Sequence, residues 1–183
     1  MVDVIKNLGE GNPYARSMVR QMKLAKLPGS AAPELAVDNH YGEFSSLASM
    51  RGKVVLLDFT ADSDFYCTKA YPYLKKMYAD LYPKGLEVIG LNRYEGFYKD
   101  REGLTPKAEF IAKKGLMKEY GLPWPLLFGP RKNQINYGVE GIPHYVVIGR
   151  DGKVASIAVG YNEPLNKQLR ATVEKALEAG NNK

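Results

Sequence analysis

The sequence predicts an α/β fold, a central mixed β-sheet flanked by helices. Three observations predict it. Apolar runs at residues 54–57 and 86–91 are separated by a long amphipathic segment, the pattern of parallel strands joined by a helix. Near the C-terminus, Asp151-Gly152 lies between two further strand-like runs, and Asp-Gly is a favoured hairpin turn. Leu165, Leu169, Val173 and Leu177 then recur at four-residue steps, as on one buried helical face.

The elements follow in order. Residues 1–12 read as a tail. Asn12 is a good N-cap with Pro13 at the first helical position, and the helix runs to about Leu27 with Met18, Met22 and Ala25 on one face. Pro28-Gly29 stops it. Residues 1–27 therefore form an arm or linker helix ahead of a domain at 28–183. Residues 34–38 and 43–45 read as an N-terminal β-hairpin around a turn at 39–42, which makes His40 an exposed loop residue. Residues 46–50 are one helical turn, and 53–59 are the central strand. The helix from about 65 to 82 turns Cys67, Ala70 or Tyr71, Leu74, Met77 or Tyr78, and Leu81 inward, and Pro72 bends it. Residues 92–103 are irregular. Thr105 caps a helix that begins at Pro106 and ends near Gly115. Pro123 and Pro125 allow at most a short strand before residue 130, and 131–137 form a helical turn. Strands at 144–149 and 154–159 flank the Asp-Gly turn. The last helix opens at Asn162 or Glu163.

The chain-wide properties narrow the function. A single cysteine in 183 residues excludes an internal disulfide and a zinc site built from several thiolates. The formal charge is +6. Residues 1–30 carry five Lys or Arg against Asp3 and Glu10, and the remainder is nearly balanced. No element shows the basic stripe of a nucleic-acid surface. No stretch approaches the roughly 18 apolar residues of a membrane span. Residues 1–10 lack the apolar core of a signal peptide. The expectation is a cytoplasmic protein if this chain is the complete gene product, or else a signal, anchor or preceding domain beyond it. Nothing in the sequence implies a cofactor or an oligomeric state.

Chemistry is expected at residues 58–67, where the central strand turns into the long helix. Such a turn aims backbone N–H groups and the positive end of the helix dipole at its first residues. The only cysteine, Cys67, lies there. Asp64, three residues before it, suits a helix N-cap.

Several stretches together resemble the thioredoxin fold, and within it the TlpA/ResA-like thiol–disulfide oxidoreductases of the AhpC/TSA redoxin group. They are Gly29-Ser30-Ala31-Ala32-Pro33-Glu34-Leu35, the approach Ser46-Leu47-Ala48-Ser49-Met50-Arg51-Gly52-Lys53, Pro72 in the helix, Tyr137-Gly138-Val139-Glu140-Gly141-Ile142-Pro143, and Asp151-Gly152-Lys153. The resemblance covers about residues 28–179. It implies that Cys67 is the second cysteine of a Cys-x-x-Cys motif, with Asp64 at the first and Ser63 at the tryptophan before it. It places Asp58 as the buried carboxylate behind the motif. Pro143 becomes a cis-proline that, with Ile142, holds substrate backbone. It also implies a location outside the cytoplasm.

Dithiol exchange needs one thiol to attack and a second to resolve the mixed disulfide, and a carboxylate cannot form that intermediate. Four readings stay open. Asp64 is an N-cap and Cys67 a buried, sluggish thiol. Cys67 is the centre of a one-cysteine peroxidase or a glutathione-dependent enzyme. Asp64, Cys67 and His144 hold a metal. Or the Pro143 groove binds a protein or peptide by backbone pairing, with Phe65, Tyr66 and Trp124 as its apolar rim.

Overall fold

The computed structural model describes residues 12–179. Six strands form one sheet in the order β1-β4-β3-β2-β5-β6. They are β1 (Asn39–Tyr41), β2 (Val54–Phe59), β3 (Leu86–Arg93), β4 (Leu126–Gly129), β5 (His144–Ile148) and β6 (Val154–Val159). β2, β3 and β4 run parallel. β1 pairs antiparallel with β4, β5 with β2, and β6 with β5. The helices are α1 (Pro13–Lys26), α2 (Phe65–Leu81), α3 (Pro106–Ala112), α4 (Leu116–Tyr120), α5 (Lys132–Tyr137) and α6 (Glu163–Glu178).

β2 is buried along its whole length because both sheet faces are covered. Side chains alternate between the faces. Val54 and Leu56 pack with Tyr71, Leu74 and Met77 of α2 and Val173 of α6. Val55, Leu57 and Phe59 pack on the other side with Leu35, Leu91 and Tyr137. Successive residues of β2, and of its partner β5, therefore serve opposite faces.

The expected N-terminal hairpin does not form. Residues 39–41, read as its turn, are themselves strand β1 and pair with β4 in the register His40 to Leu127. Tertiary contacts override the turn-like composition Asn-His-Tyr-Gly. Tyr41 stacks on Phe110 at 4.3 Å between centroids and donates its hydroxyl hydrogen bond to the Phe110 carbonyl. His40 is exposed, within the strand. The entry segment joins the other sheet edge, where Val154 N–H donates to the Ser30 carbonyl at 2.9 Å.

The capping residues act as read. Asn12 Oδ1 accepts from Tyr14 N–H at 2.9 Å, and Asn162 Oδ1 from Leu165 N–H at 2.8 Å. Thr105 caps α3, and Pro72 lies inside α2. α1 lies against α5. Gly138, at φ +67°, leaves the space into which Leu24 fits, since a Cβ there would lie 2.6 Å from Leu24 Cγ. No helix among the described residues is long and apolar enough to cross a membrane.

Candidate functional site

β2 delivers the chain to the turn at residues 60–64, and α2 leaves it. Thr60 N–H donates to the Leu91 carbonyl at 3.0 Å, which ties the turn to the end of β3. Asp64 is the N-cap of α2, in extended conformation, and its Oδ1 accepts from Cys67 N–H at 2.9 Å. The carboxylate thus occupies the first-turn donor that would otherwise face a ligand. Thr60 Oγ1 and the Tyr71 hydroxyl lie 3.0 Å apart beneath the turn.

Cys67 is 1% exposed. Burial pushes its thiol well above the ordinary range. The carboxylates of Asp58, once ionised at alkaline pH, and of Asp64 add to this, and hydrogen bonds from the Ala61 backbone and the Thr60 side chain oppose it without prevailing. The α2 dipole is not enough to make a thiolate. Asp58, on β2, is also buried. Burial raises its carboxyl to about 8, so it carries a proton at neutral pH. Its Oδ1 has no hydrogen-bond partner among the described residues.

The structure brings Asp58, Asp64 and Cys67 together at one sheet end. Phe65 and Tyr66 stand exposed beside them, in edge contact at 5.6 Å. The Ile142–Pro143 peptide is cis. Pro143 gives its carbonyl to Gly160 N–H at 2.8 Å, whereas Ile142 makes no backbone–backbone hydrogen bond among the described residues.

Two expected site residues lie elsewhere. Trp124 is 1% exposed and packs in the core with Leu74 and Val88, its ring against Tyr78. It is no rim residue, because its ring is enclosed by the core side chains between the sheet and α2. His144 is separated from Cys67 by the sheet. It pairs with Phe59 in register, one residue on from the Asp58–Tyr145 pair. It therefore faces away from α2, with its ring edge-on to Phe59 at 5.7 Å. Burial lowers its pKa to about 4. Asp64, Cys67 and His144 cannot ligate one ion, and no group of three such side chains among the described residues is placed to do so.

The sequence reading missed a buried ion cluster behind the turn. Lys113, fully buried, places Nζ 2.7 Å from Asp62 Oδ1, 2.9 Å from Glu109 Oε1 and 3.5 Å from Glu95 Oε2. Burial alone would depress the amine, but the close carboxylates of Asp62 and Glu109 outweigh it and raise its pKa. Glu109 also accepts from the N–H groups of Glu95 and Gly96, and Ser63 Oγ donates to Glu95 at 2.9 Å. The cluster pins the turn to the loop after β3 and to α3. Its one signal in sequence is the Glu109–Lys113 spacing of four.

A thiol in the first turn of a proline-containing helix, a buried carboxylic acid on the strand before it and a cis-proline at the start of the neighbouring strand, on this sheet order, define a protein of the thioredoxin fold. The protein assigned as thiol:disulfide interchange protein DsbE of Chlorobium tepidum superposes with a TM-score of 0.68 at 26% identity, over 82% of this chain and 97% of that one. The thioredoxin domain of a thiol-disulfide oxidoreductase from Bacteroides vulgatus gives 0.63 at 24%, over 82% and 97%. Thiol-disulfide oxidoreductase ResA of Bacillus anthracis is 30% identical over 148 residues, 80% of this chain and 77% of the relative. Residues 28–157 match the AhpC/TSA family. The chain belongs to that family, among its ResA-like thiol–disulfide oxidoreductases.

Proposed function

We propose that this chain is a redox-degenerate member of its family, which binds an extended protein or peptide segment at the Ile142–Pro143 edge and does not run dithiol exchange alone. In this reading Asp64 occupies the place of the attacking cysteine, and residues 1–27 precede the domain at 28–183 as an arm. By family analogy the protein works outside the cytoplasm. The observation that carries the proposal is the bond from Cys67 N–H to Asp64 Oδ1. The position three residues before the chain's only thiol is filled by a structural carboxylate, and that thiol is buried. The backbone of Ile142 supports the binding half, because it has no backbone partner among the described residues and strand addition needs such groups.

Reduction of insulin by dithiothreitol tests the redox half. The protein is expected to leave the rate at background, and Asp64→Cys to raise it. Clear activity of the unmodified chain would overturn the proposal. Mass spectrometry after treatment with peroxide, with and without glutathione, is expected to find Cys67 unmodified in the folded protein. A sulfenic acid or glutathione adduct there would favour a one-cysteine thiol enzyme instead.

A further inference from the structure

Across the sheet end from Cys67, a pocket of about 160 Å³ opens at the carboxyl ends of β2 and β3, where ligands of open α/β sheets commonly bind. Phe59 and Leu91 line it, both buried. Arg93, at the end of β3, and Arg131, just before α5, stand on its wall. Both are exposed, and neither guanidinium has an ion pair among the described residues. Gln134 shares the wall, and its buried Oε1 has no hydrogen-bond partner among the described residues. Glu140 also lines the pocket, so the two arginines leave it a formal charge of +1. The remaining wall is Thr60 and residues 139–142, the latter leading into the cis peptide.

We infer that this pocket takes a carboxylate, and that the segment bound along Ile142 is acidic. Guanidinium groups match carboxylates in geometry and bind them by paired, charge-assisted hydrogen bonds. The volume suits one side chain or chain end. Ile142 belongs both to the pocket wall and to the edge offered for backbone pairing, so a strand laid on that edge carries a neighbouring side chain to the arginines. This rests on the peptide-binding reading above. A side-chain carboxylate and a free dicarboxylate share the same chemistry, and the test separates them.

The probe is a fluorescein-labelled nonapeptide of Thr, Val and Ala with one central Glu, compared with its Gln twin by anisotropy at low salt. The Glu peptide is expected to bind roughly 10-fold more tightly, with the preference lost in Arg93→Gln/Arg131→Gln and weakened by salt. Equal binding of the twins, or a preference that survives the double variant, overturns the inference and leaves peptide binding standing. A second arm follows the Gln134 side-chain amide by NMR during titration with succinate. If neither peptide binds but succinate shifts that signal in the wild type and not in the double variant, the carboxylate pocket stands for a small ligand and the peptide reading falls. If succinate shifts nothing and neither peptide binds, both fall.

Discussion

Asp64 does two separable things. Its oxygen caps α2, and its charge disfavours a thiolate at Cys67. Asp64→Ala removes both, and loss of the cap is expected to cost about 1 kcal/mol in urea unfolding. Asp64→Asn keeps the cap and removes the charge, so stability should hold while Cys67 alkylates faster at a given pH. Native Cys67 itself is expected to react with iodoacetamide far more slowly at pH 8 than the same thiol in urea, because burial both hides it and raises its pKa. Rapid native alkylation would contradict the packing described. Asp64→Cys, the variant expected to gain exchange activity, gives up the same cap. It should therefore be more active and less stable than the parent.

At the scale of elements, the Lys113 cluster joins the turn at residues 60–64, the loop after β3 and α3 through one amine. Lys113→Met leaves Asp62 and Glu109 without a counter-charge in a buried site, an error expected to cost about 3–5 kcal/mol. Exposed ion pairs such as Lys167–Glu163 should change stability little when broken, because water and salt screen them. Thermal melts of the two variants compare them directly. The same scale shows what the sequence could reveal. Strands β2, β3, β5 and β6 and helices α2 and α6 carry strong periodicity, and their caps and turn residues agree with it, so their placement was legible. β1 was not, because three residues beside a glycine hold no period and become a strand only through β4 and the Phe110 ring. Trp124 and His144 were misplaced for a related reason. Which sheet face a residue serves depends on register, and register is set by partners distant in sequence. Asp58, Asp64 and Cys67 lie within ten residues of one another, so their meeting needed no such knowledge.

Over the whole molecule, two buried groups of opposite habit shape the response to pH. Asp58 titrates at about 8 when folded against 3.8 unfolded. Between those values the folded state holds a proton the unfolded state has lost, so this group makes stability fall as pH rises. His144 titrates at about 4 folded against 6.5 unfolded. Between those values the unfolded state holds the extra proton, so stability falls as pH drops. From pH 4 to 6.5 the two slopes cancel. From 6.5 to 8 only Asp58 acts, and stability should decline by about 2 kcal/mol. Denaturant midpoints measured from pH 4 to 8 check this. Asp58→Asn should flatten the upper half and leave a profile that weakens toward pH 4. His144→Leu should leave a steady decline across the whole range.

The buried amine of Lys113 also makes the protein its own clock. Every amine reagent that reaches Nζ must wait for the turn to come away from α3, whereas surface lysines such as Lys76 and Lys167 are labelled at once. The rate at which Lys113 is acylated, read peptide by peptide, therefore times the opening of the turn that holds Cys67. In the limit of fast reclosing it gives the free energy of that opening. If a bound acidic peptide holds the turn as well as the groove, its arrival should slow that clock without any redox chemistry taking place.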